Sequence, residues 1–356
     1  MFRDEGSFLD PVSLNPPALP VPNAAASSRR PGSPTWRVLL DTAAYVGGDH
    51  KNGTYAEATT RTGQVVGVSF WLADPPAVSH LCIHCPGVEK VTDLLFFEPV
   101  VVCSSKDIAV IRVSYNFGAR TTETMEDLAM TDFDYFVYRA HSAEKLQPPS
   151  LQLLPNPKPL FFESREIGFL PCPDDNGEGF LIAVLQPAWD EQLQYHLHIF
   201  SSKTNEWETK LVTLREPPSP RYSKRNGTLV YRIDKVIALD GGTLGWVDLK
   251  RGILQCNVLD DEPVLRYFKF PRPLAGNFSK SKYGQAPPWT FRDVTCSNGV
   301  VKLIEIEKRR RLVVAPAARP SLLNGKRKRA ALDLEETTGT WCATEPYALD
   351  GPEGVP

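Results

Sequence analysis

The sequence predicts an all-β protein, a β-propeller-like array of about six degenerate antiparallel blades left incomplete at the C-terminal end. The clearest observation is residues 239–273, LDGGTLGWVDLKRGILQCNVLDDEPVLRYFKFPRP. Three runs there, 244–249, 253–259 and 265–270, are rich in β-branched, aromatic and aliphatic residues. They are set off by the turn signals Gly241-Gly242, Lys250-Arg251-Gly252 and Asp260-Asp261-Glu262-Pro263. The second observation is recurrence: strand sets return about every 45 residues, close to the spacing of propeller blades. The third is turn chemistry, because 32 Pro and 24 Gly favour many short connections over long helices. Three strands cannot bury both faces alone, so each set needs neighbours of its own kind. A pair of β-sandwiches is the competing architecture, since it also accounts for short strands punctuated by turns.

In chain order, residues 1–35 hold Pro, Ala and Ser in low-complexity order and read as a disordered arm, unable to bury enough apolar surface to offset ordering. The phrase WRVLL at 36–40 opens the ordered domain, read as 36–312. In a closed ring this phrase would complete the last, short set. Residues 41–55 read as a polar, Gly-rich loop. Residues 57–60 and 65–72 form a hairpin around Thr62-Gly63, with Val66, Val68 and Phe70 alternating with Gly67, Ser69 and Trp71. Asp74-Pro75-Pro76 stops it, because Pro cannot donate to a ladder. Residues 78–85, VSHLCIHC, make a strand with His80, Cys82 and His84 on one face and Leu81 and Ile83 on the other.

Residues 96–103 and 108–115 give the next hairpin, 120–132 an acidic, polar stretch read as a short helix or a mobile excursion, and 133–139 (FDYFVYR) an aromatic strand. A further set falls at 167–170, 180–186 and 194–200, followed by a polar turn and Trp207. Residues 216–226 read as a charged linker. The last hairpin spans 291–296 and 300–307 across Ser297-Asn298-Gly299, a strong turn signal. Beyond Leu312 strand signals thin out, and 313–356 reads as a disordered tail, basic and then acidic.

A hydrophobic content of 42% and an aromatic content of 10% suffice for a substantial core, and a formal charge of -2 argues against a general nucleic-acid or membrane binder. Seven scattered Cys and a start, MFRDEGSFLD, without a cationic and then apolar leader point to a reducing compartment. The expectation is cytoplasmic and/or nuclear residence, without secretion. No run reaches the roughly 18 apolar residues a membrane span needs. The sequons at Asn52, Asn226 and Asn277 are then chance matches.

Five phrases carry a family resemblance: PPAVSHLCIHCPG at 75–87, DYFVYRA at 134–140, PSLQLLP at 149–155, YHLHIFSSKTNEWETK at 195–210 and GGTLGWVDLKRGILQCNVL at 241–259. Together they resemble the plant family, expanded in grasses, known as domain of unknown function 1618, over residues 36–307. The Gly-Trp-Val-Asp-Leu-x-x-Gly-Ile-Leu phrase is the most specific part. The phrase ending in Trp207 also resembles kelch-type and F-box-associated propeller blades. The resemblance implies no established activity and so supplies no catalytic residue. It also implies further strand-rich sequence past Glu307, where the chain is read as leaving the family, as a truncated or spliced product would.

The one metal-like cluster is His80-x-Cys82-x-His84-Cys85. Zinc prefers four Cys or His in tetrahedral array. One strand face offers three, with Cys85 on the other, so the cluster reads as a half-buried blade strand. The carboxylate pairs Asp174-Asp175 and Asp260-Asp261 fall in turns, where Asp is common for backbone reasons. Asp248 reads as ordering its own turn. Neither a phosphate-binding Gly loop nor a nucleophile elbow is found. No catalytic, cofactor-binding or metal residue is therefore assigned.

Two basic runs, KRRR from Lys308 to Arg311 and KRKR from Lys326 to Arg329, are candidate nuclear import signals or nucleic-acid contacts. No aromatic residues interleave with them, which counts against stacking on single strands. Trp71, Trp189, Trp207 and Trp246 read as packing residues, with a glycan or peptide platform as the alternative. The functional expectation is a non-catalytic interaction module presenting inter-strand loops, 120–132 and 216–226 foremost, to a protein partner. The competing expectation is a hydrolase acting on a glycan or small ester at the channel mouth.

Overall fold

The computed structural model describes residues 9–17, 38–47, 51–73, 76–95, 97–115, 133–140, 147–155, 163–172, 179–188, 193–215, 224–225, 228–229, 232–274, 277, 287–306, 308–312, 334–338 and 346–348. At 224–225, 228–229 and from 308 onward the description is of the backbone. Strands dominate. Among the described residues the one α-helical turn is Val91–Leu94, beside short 3-10 turns such as Pro11–Leu14. The chain forms two compact units, Met1–Val184 with His198–Thr209, and Leu185–Leu197 with Lys210–Pro356.

The first unit begins with a sheet of β1 (Leu39–Leu40), β2 (Tyr45–Val46), β3 (Ala56–Thr59), β4 (Val65–Trp71) and β5 (Val78–His84). Its order is β1-β5-β4-β3, with β2 also on β5. Period-2 alternation sends Val66, Val68, Phe70, Leu81 and Ile83 to one face, all buried. The facing sheet is a four-stranded meander, β6 (Val100–Ser105), β7 (Ile108–Ser114), β8 (Phe133–Arg139) and β9 (Ser150–Leu153). It contributes Val101, Ala109, Ile111, Val113, Phe136, Tyr138 and Leu151 to the same core.

The other face of that meander is also buried. Ile108, Val110, Tyr135 and Val137 pack with Ile167, Phe169, Phe180, Ile182, Val184 and Phe200 of the next set. This set comprises β10 (Ile167–Pro171), β11 (Phe180–Pro187), β12 (Gln194–Ser201) and β13 (Glu206–Arg215). Burial on both faces explains why β7 reads IAVIRVS, nearly unbroken, while β13 alternates between exposed and buried positions toward its end. Each such buried aliphatic or aromatic side chain contributes about 1.5–3 kcal/mol relative to leaving it exposed.

Three sequence expectations change in this unit. The phrase at 36–40 does not close the last set, because β1 runs parallel to β5 in the first sheet, with Leu39 opposite Val78 and Leu40 opposite Ser79. Leu40 packs against that sheet's own core, which fixes it there. The loop at 41–55 contains β2, parallel to β5 with Tyr45 opposite Cys82. Residues 9–17, within the stretch read as an arm, are folded onto the first unit. Asp10 caps the turn by accepting from the Val12 amide at 2.9 Å. The Asp10 amide and the Ser13 hydroxyl reach the Glu98 carboxylate, and Leu9 packs on the core.

In the second unit, β14 (Lys224–Arg225) pairs with β15 (Thr228–Leu229). The 239–273 reading is realised in β16 (Lys235–Ala238), β17 (Thr243–Asp248), β18 (Gly252–Asn257) and β19 (Leu265–Lys269), an antiparallel meander. The end of β13 joins it parallel to β19, Leu214 opposite Leu265. Gly252 is required by close approach, since a Cβ there would sit 2.0 Å from the Phe268 carbonyl oxygen. The last hairpin is β20 (Arg292–Ser297) and β21 (Val300–Glu305), turning through Asn298 and Gly299 at φ 54° and 71°.

Three further strands follow, β22 (Lys308–Leu312), β23 (Leu334–Thr338) and β24 (Pro346–Ala348). β22 pairs with β23, and β24 with β21, so strands lie on both sides of the boundary drawn at 312. The core of this unit sets Ile237, Leu239, Val247, Leu249, Ile253 and Phe270 against Val294, Val301 and Leu303. A buried ion pair anchors the hairpin. Arg292 donates to Glu305 at 2.9 Å and to the carbonyls of Leu249 and Pro271 at 2.9 and 2.8 Å. Glu305 accepts in turn from the Leu274 amide and the Asn277 side chain, each at 2.8 Å.

Candidate functional site

His80, Cys82 and His84 share the face of β5 turned away from the first core, as the alternation predicts, and all three are buried. They do not converge as a metal centre. Among the described residues no group of three His, Cys, Asp or Glu could hold an ion. Each is engaged separately instead. His84 Nε2 lies 2.8 Å from Ser69 Oγ across the strand pair. Its ring meets Tyr55 edge-on at 5.4 Å. The His80 ring stacks on Trp71 and meets Tyr45 edge-on at 5.5 Å. Tyr45 donates to the Asp41 carboxylate at 3.1 Å. Burial pushes the His80 pKa down, with Asp41 opposing, and pushes the Cys82 thiol up to about 11. A thiol held protonated is a poor ligand and a poor nucleophile. Gly47 lets the chain close over this face, because a Cβ there would meet Cys82 Cβ at 2.7 Å and the His84 ring at 2.8 Å.

The turn after β17 collects a second set of charged groups. Asp248 accepts from the amides of Lys250 and Arg251 at 2.9 and 3.1 Å, and from the Arg251 guanidinium at 3.2 Å. Asp234 accepts from the Leu249 amide at 2.9 Å. Burial raises the Asp248 pKa, Arg251 opposes the rise, and the neighbouring Asp234 adds to it. Both carboxylates hold backbone, so this cluster orders the turn of the GWVDLKRG phrase. Asp260 occupies a turn too, accepting from the Asn257 side chain at 2.8 Å. Trp246 is fully buried, and Trp207 donates to the Pro155 carbonyl at 3.1 Å while packing on Phe200. Asp174-Asp175, Trp189, residues 120–132 and the run from Lys326 to Arg329 lie outside the described residues, as does 216–226 apart from β14. The run from Lys308 to Arg311 lies on β22.

An opening lies elsewhere in the second unit. Leu239, Ile253, Phe268, Phe270, Val301 and Leu303 line an apolar pocket of about 40 Å³, with Gln255 and Lys269 also on its wall. Phe268 remains 38% exposed although it faces Ile253 across the β18–β19 pair.

Residues 246–346 match the family described as Protein of unknown function (DUF1618). This stretch is similar to DUF1618. The match starts at the Trp of the phrase that the sequence reading ranks as most specific. It also runs beyond Glu307, so the expectation that the chain leaves the family there is corrected. Comparison with the curated proteins and with the solved structures finds no match. Within the DUF1618 stretch lie the pocket residues on β18, β19 and β21. Sequence reasoning missed the pocket. Its one signal was Phe268-Lys269 at the end of a strand, where alternation leaves a ring without an obvious cover.

Proposed function

We propose that the chain is a non-catalytic protein-interaction module built as a propeller-like array of small antiparallel sheets. Successive, mostly antiparallel strand sets that share cores within the first unit support the array. The observation that carries the interaction reading is the Phe268 ring at the mouth of an apolar pocket. Apolar surface left at an opening is a feature of protein contact sites and of ligand grooves alike. The polar candidates point the same way, since His84, Asp234, Asp248, Arg292 and Glu305 each hold neighbouring strands or turns. No helix among the described residues is long and apolar enough to cross a membrane. The proposal includes cytoplasmic or nuclear residence, with 308–311 as the import run.

Affinity capture from native extract by the full chain, with wild type and Phe268→Asp compared at equal loading, tests the interaction reading. The expected result is a set of captured proteins lost from the variant and retained by the exposed-site control Leu211→Asp. Identical sets from wild type and Phe268→Asp would refute it. A fluorescent fusion with 308–311 neutralised tests the import run, which fails if nuclear signal is unchanged.

A further inference from the structure

We infer that the pocket bounded by Phe268 receives one apolar side chain from an acidic peptide segment of the partner protein. This inference rests on the interaction reading above and specifies its chemistry. Size limits the occupant. About 40 Å³ admits part of a single aliphatic or aromatic side chain, whereas small-molecule sites run to about 300–1,000 Å³. The wall is almost wholly hydrocarbon, from Leu239, Ile253, Phe270, Val301 and Leu303, so the inserted group is apolar.

Charge at the rim supplies the second requirement. Lys269 is on the pocket wall and exposed. Arg266 is exposed on the Phe268 face of β19, opposite Gln255, which also lines the pocket. Neither cation makes an ion pair or hydrogen bond with any described residue. Two acids of the β20–β21 hairpin are paired with other cations, Asp293 with Lys235 at 2.8 Å and Glu305 with Arg292. Two cations beside a hydrocarbon slot, without an acidic partner among the described residues, favour carboxylates flanking the inserted side chain and speed encounter with an acidic segment. An anchor residue in a pocket with a charged rim is the usual distribution of energy and specificity in such contacts.

The test is selection of displayed random linear peptides on the full chain. Wild type is compared with Phe268→Asp and with the double variant Arg266→Glu/Lys269→Glu. All three positions are exposed, and an unchanged thermal midpoint confirms each fold. Peptides enriched on wild type are expected to carry an aliphatic or aromatic residue beside two or more acidic ones. They should bind either variant at least tenfold more weakly and weaken with added salt, and the double variant should enrich basic peptides. Failure to enrich, enrichment without acidic bias, or affinity indifferent to charge reversal would overturn the inference. Non-acidic peptides that still require Phe268 would sink the acidic specificity while leaving the interaction reading standing. That reading fails separately, through unchanged capture from extract.

Discussion

The outer face of the first sheet and the pocket face of the second unit are opposites. The first concentrates the residue types that chemistry uses, His80, Cys82, His84 and Ser69, yet every one of them is buried and closed over. The second holds almost nothing but hydrocarbon and two lysine- or arginine-type cations, yet it is open. Residue type announces capacity, while accessibility decides use. A buried imidazole bonded across a strand pair does for its sheet what an apolar pair does elsewhere. An exposed Phe beside a void retains surface that folding alone would have covered.

The largest effect should come from a buried polar group of the second unit that holds structure. Replacing Arg292 by Met leaves Glu305 charged, buried and deprived of its partner. Removing one member of such a pair costs about 3–5 kcal/mol. Chemical denaturation should show a midpoint shift of that size, recovered in part by the double variant Arg292→Met/Glu305→Leu. A loss below about 1 kcal/mol would mean that the pair does not hold the β20–β21 hairpin.

A second, smaller effect contrasts the closed face with the open one directly. Gly47→Ala forces a methyl against Cys82 and His84, and overpacking of this kind costs about 1–3 kcal/mol. Val301→Ile adds a methylene beside existing space, so it should be neutral or stabilise by up to about 0.8 kcal/mol. Thermal unfolding of the two variants decides. Equal losses would erase the distinction between the faces.

The strands of both faces were legible because alternation and turn residues are local. VSHLCIHC declares its two faces through period 2, and the Asn298-Gly299 turn needs no distant partner. The pairing of residues 39–40 with β5 was not legible. Two residues carry no register information, and parallel pairing across a long connection depends on the packing of half-buried Leu40, which no local pattern encodes. The pocket was hidden for a related reason. It exists only where Phe268 and Lys269 of one strand meet Val301 and Leu303 of another, and these lie more than thirty positions apart in sequence. Asp248 was half legible: the turn was evident, but the support from Asp234 was not.

The third effect is a pH dependence confined to the closed face. Burial holds His80 neutral by lowering its pKa in the native chain, with Asp41 opposing and Tyr45, Trp71 and Cys82 as its other close neighbours. The unfolded chain protonates this histidine below about pH 6.5. Unfolding therefore takes up a proton, so the contribution is full above that pH and is lost as pH falls through the native value. Denaturant midpoints followed from pH 7.5 to 5 should decline for wild type and decline less for His80→Gln. Parallel curves would show that His80 does not titrate on unfolding.

The smallest effect on stability should belong to the residue with the largest effect on binding. Phe268 is already 38% exposed, and Asp at a solvent-facing rim usually changes stability by no more than about 0.5 kcal/mol. The substitution should therefore leave the denaturation curve in place while abolishing partner capture. Trp246→Ala supplies the opposite case. That ring is fully buried, and its removal should cost about 3–5 kcal/mol, with any loss of binding following from loss of fold. Measuring both quantities on both variants separates a contact surface from a core. If Phe268→Asp destabilised the chain as Trp246→Ala does, the ring would be part of the core after all, and the opening beside it a packing defect rather than a place for a partner.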